Sequence, residues 1–140
     1  MSSANDKQIG GSHYKKKKKI TYQHWDLIVF TRSNYLEVNI TKYVSRWRNK
    51  NGVLDLEKAK HYAEKLLEVY RAFGYINDSD FVLNGYRRTK ANMILQTFLD
   101  EHQMGPTEDL IFSHVLAWSD EGNIMAATAL IQGLIDGASK

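Results

Sequence analysis

Between Gly11 and Glu68 the chain gathers cationic, amide and phenolic side chains at helical spacing. The segment opens with Gly11-Ser12-His13-Tyr14 and a lysine run, Lys15–Lys19. It continues with Asn39-x-x-Lys42-Tyr43-x-x-Arg46, Lys50-x-Gly52 and Asp55-Leu56-x-Lys58-Ala59-x-x-Tyr62. These groups suit a phosphate-bearing ligand. A guanidinium such as Arg46 grips a phosphate through paired N–H donors, and ammonium groups such as Lys42 and Lys58 add point charge. His13 offers a hydrogen bond or a proton, Tyr14 stacks or donates, and Lys15 supplies charge. Asn39, one turn before Lys42, has the amide needed to read a base edge or a ribose hydroxyl.

Helices must bring these side chains together. A short helix is expected around Tyr22–Phe30. Asn34-x-x-Glu37 then has the form of a capping box, in which each side chain satisfies the other residue's free backbone amide. The helix it opens is expected to reach about Lys50. Leu36, Ile40, Tyr43, Val44 and Trp47 share one stripe of it; Asn39, Lys42, Arg46 and Lys50 share the adjacent one, with Tyr43 on the border. Asn51-Gly52 makes a turn. Asp55 is expected to cap the next helix, about Leu56 to Phe73, which buries Leu56, Ala59, Ala63, Leu66, Tyr70 and Phe73 and ends at Gly74. A connection this short predicts an antiparallel hairpin. Its facing apolar stripes would set Lys42 and Arg46 beside Asp55, Lys58 and Tyr62.

The second half changes character. Asn77–Gly85 reads as a linker or broken turn. A helix is expected over about Tyr86–His102, with Ile94, Leu95, Phe98 and Leu99 apolar. Gly105-Pro106-Thr107 stops it, and Thr107 is expected to cap another carrying Leu110, Ile111, Val115 and Trp118. A last helix, about Ile124–Ile135, has small residues that permit close packing. No strand-like alternation is sustained. The expectation is an all-α protein: residues 1–12 disordered, a helical hairpin domain over 13–76, and a helical extension over 77–140 that packs on it or on a second subunit.

Composition narrows the functional classes. At 140 residues, 43% of them hydrophobic, the chain is long enough to bury a core without staples. It has no cysteine, so disulfides and thiolate metal sites are excluded. No apolar run nears the roughly 18 residues of a membrane span. The net charge of +3 owes much to Lys15–Lys19, leaving a nearly neutral fold behind the run. Nucleic-acid binding would rest on that run and one helix face alone. No P-loop, G-x-G-x-x-G or G-x-S-x-G motif occurs. The paired E-x-x-E and E-x-x-D helices of all-helical nucleotide pyrophosphohydrolases are missing. The histidines lack metal-ligand spacing.

Each feature also has a plainer reading. Lys42, Arg46 and Lys50 would repel one another, and salt bridges to Asp55, Glu57 or Glu64 would offset that in an ordinary ion-pair network. The lysine run is a solvated strip or an arm that closes over an anion. Trp25, Trp47 and Trp118 read as core before they read as ligand platforms. Glu64 and Glu68 read as a solvated face before they read as a Mg²⁺ site.

The same residues resemble a phage nucleotide-kinase-like family, long carried as a domain of unknown function and linked to deoxynucleoside monophosphate phosphorylation without a P-loop. Ser12, His13 and Tyr14 match its start, Asn39, Lys42, Tyr43 and Arg46 its first helix, and Lys50, Gly52, Asp55, Leu56, Lys58, Ala59 and Tyr62 its turn and second helix. Val38 stands where the family often has glycine, the lysine run is not a family feature, and the chain from Asn77 onward has no counterpart there. The resemblance implies phosphoryl transfer from ATP to a deoxynucleoside monophosphate in a bacterial host cytoplasm, with Mg²⁺ carried by the nucleotide. His13, Lys42 and Arg46 would then be catalytic. Tyr14, Lys15, Asn39, Tyr43, Lys50, Asp55, Lys58 and Tyr62 would bind the ligand. A non-catalytic sponge for a nucleotide signal of antiphage defence, cyclic or of ADP-ribose type, is the second expectation, and single-stranded nucleic-acid binding the third. The apolar second half adds the expectation of a homo-oligomer.

Overall fold

The computed structural model of the protein describes residues 20–74, 85–117 and 120–138, with 85–89 by backbone alone. Among these residues every regular element is a helix: α1 (His24–Thr31), α2 (Tyr35–Arg46), α3 (Val53–Phe73), α4 (Gly85–His102), α5 (Pro106–Leu116) and α6 (Glu121–Ala138). The fold is all-α, as the sequence predicts. The expected tail over 1–12, the His13-Tyr14-Lys15 arm, the linker beyond Gly74 and Trp118 lie outside the described residues.

Local chemistry sets the helix ends. Glu37 accepts from the Asn34 N–H at 2.9 Å, and Asn34 accepts from the Glu37 N–H at 2.9 Å, completing the predicted capping box. Three expected ends are different. The helix α2 stops at Arg46 rather than near Lys50, because a turn begins at Trp47. The next helix opens at Val53 behind Gly52, which sits at φ 59°, ψ −131° and leaves Asp55 inside the first turn rather than at the cap. Gly105, not Thr107, precedes α5, and Pro106 takes the first helical position, where its missing N–H costs nothing.

The pair α2 and α3 forms the expected hairpin, and α3 also packs on α6, α2 on α5, α1 on α4 and α5 on α6. One core results. Leu27 of α1 meets Ile40 and Val44 of α2, Leu56, Ala59, Ala63 and Leu66 of α3, Phe98 of α4, Phe112 of α5 and Ile131 of α6 in a single buried cluster. Both halves of the chain therefore contribute to the same interior. The lead-in to α1 is also clipped to the end of α4. Glu101 accepts from the Thr21 and Tyr22 N–H groups at 2.9 and 3.2 Å, and His102 donates to the Tyr22 carbonyl at 2.8 Å.

Two residues expected inside, Phe73 and Trp25, are outside, 77% and 55% exposed, and Leu110 is 52% exposed. The helix α3 is 21 residues long and α2 only 12. At about 1.5 Å per residue its last turns extend past the end of α2, so the Phe73 side chain has no hairpin partner. Leu110 belongs to the solvent side of α5, whose inner side is filled by Ile111, Phe112 and Val115.

Candidate functional site

The short turn between α2 and α3 builds the site. Its anchor is Asp55, whose side chain is wholly buried. The carboxylate reaches back one turn to accept from the Asn51 N–H at 3.1 Å and the Asn51 side-chain amide at 3.4 Å. The Arg46 Nε, from the last turn of α2, approaches to 3.4 Å. That nitrogen is itself buried and makes no well-aligned hydrogen bond, so the contact is an ion pair more than a directed bond. Burial alone would push the Asp55 carboxyl up. The Asn51 backbone and side chain, then Arg46, outweigh it and hold the group below the ordinary carboxylate range.

Above this anchor lies a cluster centred on Tyr43. The Tyr62 ring, from α3, stacks on it with centroids 6.0 Å apart and planes 12° apart. Cations from both helices stand over the Tyr43 ring: the Arg46 guanidinium carbon at 4.8 Å, Lys42 Nζ at 5.3 Å and Lys58 Nζ at 5.4 Å. The negative face of the ring attracts each of them, by roughly 0.5–1 kcal/mol at a partly exposed site. They repel one another. Arg46 is neutralised by Asp55, but among the described residues neither Lys42 nor Lys58 has a carboxylate within ion-pair distance. The ion-pair reading thus holds for Arg46 alone; Glu57 and Glu64 do not join it. The cluster keeps an uncompensated positive charge on the hairpin's surface.

Tyr35, the first residue of α2, extends the aromatic group. Its ring meets Tyr62 edge-on, with centroids 6.0 Å apart and planes 76° apart, and the residue is 70% exposed. The Tyr62 phenol is pushed above its ordinary range, first by the hydrogen bond with Tyr35, then by its desolvation and by the Tyr35 and Tyr43 phenols.

The hairpin therefore brings together Lys42, Tyr43, Arg46, Lys58 and Tyr62, all read from the sequence. It gives two other predicted ligand residues different placements. Asp55 lies beneath the cluster as its anchor, with no exposed surface to offer a ligand. Asn39 is 8% exposed and donates from its side-chain amide to the Tyr35 carbonyl at 2.9 Å, bonding back within its own helix. Lys50 is exposed in the turn beyond α2 and is not among the cations over Tyr43. His13, Tyr14 and Lys15 lie outside the described residues. Sequence reasoning missed Tyr35 and Asn51. Tyr35 lies two helical turns before Lys42 on the same face, a spacing that points to it. Asn51 reads as turn chemistry, and nothing in its type reveals that it holds a buried carboxylate.

A second buried carboxylate, Glu108 of α5, braces the turn from the other side. It accepts from Trp47 Nε1 at 2.9 Å and Arg48 Nε at 3.0 Å. A cleft of about 590 Å³ opens beside it, lined by Leu99, Asp100, Gln103, Gly105, Pro106 and Asp109. None of the Tyr43 cluster lines it, and its carboxylates are the wrong sign for an anion. The Asp109 carboxyl is raised above its ordinary value by burial, then by Glu108 and Asp100. Among the described residues no group of three His, Cys, Asp or Glu is placed to hold a metal ion, and no helix is long and apolar enough to cross a membrane.

No curated protein and no solved structure matches the chain. A family model described as a protein of unknown function, DUF3310, matches residues 9–64, the stretch that carries the lysine run, α1, α2 and the part of α3 bearing Lys58 and Tyr62.

Proposed function

We propose that the α2–α3 hairpin binds a nucleotide through its phosphates. The observation that carries this reading is the pair of uncompensated lysines, Lys42 and Lys58, converging with Arg46 over the Tyr43 ring. A cluster in which two of three cations lack a carboxylate partner is stabilised by an anion that neutralises them. Nearby aromatic rings favour one that carries a base. The reaction we propose at this site is phosphoryl transfer from ATP to a deoxynucleoside monophosphate, with Mg²⁺ arriving on the nucleotide. Such chemistry is mostly positioning and charge neutralisation, which lysine and arginine supply.

One observation favours a second use of the same cluster. Asp55, the carboxylate nearest to it, is buried and tied to Asn51 and Arg46, so it is not poised to take a proton from an acceptor hydroxyl. A sponge that holds a nucleotide signal without turning it over needs only the cations and the rings. Incubation of the full chain with ATP, Mg²⁺ and each deoxynucleoside monophosphate separates the two. Diphosphate formation supports the kinase; tight binding with the ligand recovered unchanged supports the sponge; neither would overturn nucleotide handling at the hairpin. Self-association belongs to the same proposal, since Trp25, Val29, Phe73 and Met93 each keep over half their surface in water, and light scattering reads it directly.

A further inference from the structure

Three of the hairpin's tyrosines form one cluster, and they are not equivalent. Tyr43 is already engaged, with Tyr62 stacked on it and the Lys42, Arg46 and Lys58 cations over its ring. Tyr62 is engaged twice, stacked with Tyr43 and met edge-on by Tyr35. Both are only partly accessible. Tyr35 is 70% exposed, and its ring touches no other aromatic group among the described residues. Its orientation is nevertheless set, because the edge-on contact with Tyr62 holds it at 76°. A large ring that is both exposed and oriented loses little conformational freedom when a flat partner lies on it.

Its position relative to the cations is as informative. Tyr35 and Lys42 are seven residues apart in one straight helix, so they share a face and stand about 10 Å apart along the axis. Between them lie Tyr62 and Tyr43, whose faces are already taken up by each other, by the Tyr35 ring or by the cations. An elongated ligand is implied, flat and aromatic at one end and multiply charged at the other. Inorganic phosphate or a sugar phosphate would use only the cationic end.

Resting on the nucleotide reading above, we propose that Tyr35 is the base platform of the site, and that the ligand class is a nucleoside 5′-phosphate whose base stacks on Tyr35 while its phosphates lie against Lys42, Arg46 and Lys58.

Isothermal titration of the full chain with pyrophosphate, and with the 5′-diphosphates of the common nucleosides, tests this. The wild-type protein should bind at least one nucleoside diphosphate about tenfold or more tightly than pyrophosphate, the scale of one base–aromatic stack. Tyr35→Ala should bring that nucleotide down to the pyrophosphate level and leave pyrophosphate affinity unchanged, with the same circular-dichroism melt as wild type. Tyr35→Trp should retain the preference, which separates stacking from the hydroxyl and covers the case in which the alanine variant folds poorly. Equal nucleotide affinities in wild type and Tyr35→Ala would overturn the base platform while leaving phosphate binding in place. Wild-type protein that binds neither probe would overturn the nucleotide reading and this inference with it.

Discussion

Arg46 carries two jobs that pull in different directions. From the sequence it is a cation on a polar stripe, available to a phosphate or to an ion pair with Asp55. In the structure its Nε faces the buried Asp55 carboxylate while its guanidinium lies over Tyr43. Removing it strands a buried charge, and the penalty for an unsatisfied buried group is about 1–3 kcal/mol even where other donors remain. Asn51 is such a donor here. Arg46→Ala is therefore expected to lower stability by about 1–3 kcal/mol as well as to weaken anion binding. Arg46→Ala combined with Asp55→Asn should recover much of the stability but none of the binding, since the orphaned charge is gone while the cation is still missing. Urea denaturation of the two variants reads the first effect and titration with pyrophosphate the second. A single Arg46→Ala variant as stable as wild type would show that Asn51 alone satisfies Asp55.

At the scale of elements, α1 is held by a histidine that must stay neutral. His24 donates from Nε2 to the Thr41 hydroxyl of α2 at 2.7 Å, since that hydroxyl already donates to the Glu37 carbonyl at 3.1 Å. Its ring also lies 6.5 Å from Phe98 of α4 and 6.4 Å from Phe112 of α5. Burial, followed by the neighbouring His102 and Lys42, lowers its pKa from 6.5 to about 4. The folded state thus resists a proton that the unfolded chain accepts. For this group stability is full above pH 6.5, declines as pH falls toward about 4, and is level below that. The loss amounts to about 3 kcal/mol at 1.36 kcal/mol per pH unit. His24→Gln should keep a side-chain amide near Thr41 and flatten the melting temperature between pH 6.5 and 4 relative to wild type; parallel curves for the two proteins would mean that His24 is not desolvated in the joint. Capping signals made the α1–α2 segment legible: Asn34 and Glu37 announced one end of α2 from sequence alone. The other end was not legible. Whether Asp55 caps α3 or sits in its first turn depends on Gly52 adopting φ 59°, a conformation that an Asn-Gly pair permits without specifying. The Lys42, Arg46, Lys58 and Tyr62 juxtaposition was legible because a short loop forces two amphipathic helices into one hairpin. The burial of Asp55 and Asn39 was not, because spacing places a residue on a face without saying how deeply its neighbours cover it.

Across the whole molecule, the candidate site and the support it needs come from different halves of the chain. The cluster residues all precede Gly74, and the matching family model ends at residue 64, inside α3. Yet the apolar faces of α2 and α3 are closed by α5 and α6, and α1 is closed by α4. Ile94, Leu95, Phe98, Ile111, Phe112, Val115, Ile124 and Ile131 all belong to the same buried cluster as Leu27, Ile40 and Leu56. Polar ties cross the same divide, from Trp47 and Arg48 to Glu108, from Tyr22 to His102, and from Arg71 to Glu121 at 3.5 Å. A fragment ending at Gly74 would expose Leu56 and Leu66, each costing roughly 1.5–3 kcal/mol of burial, with Leu27, Ile40 and Val44 losing part of their cover too. That sum is a substantial part of a small domain's stability of about 5–15 kcal/mol. Residues 1–74 expressed alone should therefore melt without cooperativity, bind a hydrophobic dye and show no measurable affinity for any nucleotide that the full chain binds. Circular dichroism on heating, with the full chain alongside, is the measurement. A sharp transition in the fragment would mean that the hairpin closes its own core, and that α4–α6 serve the site as an attachment rather than as its foundation.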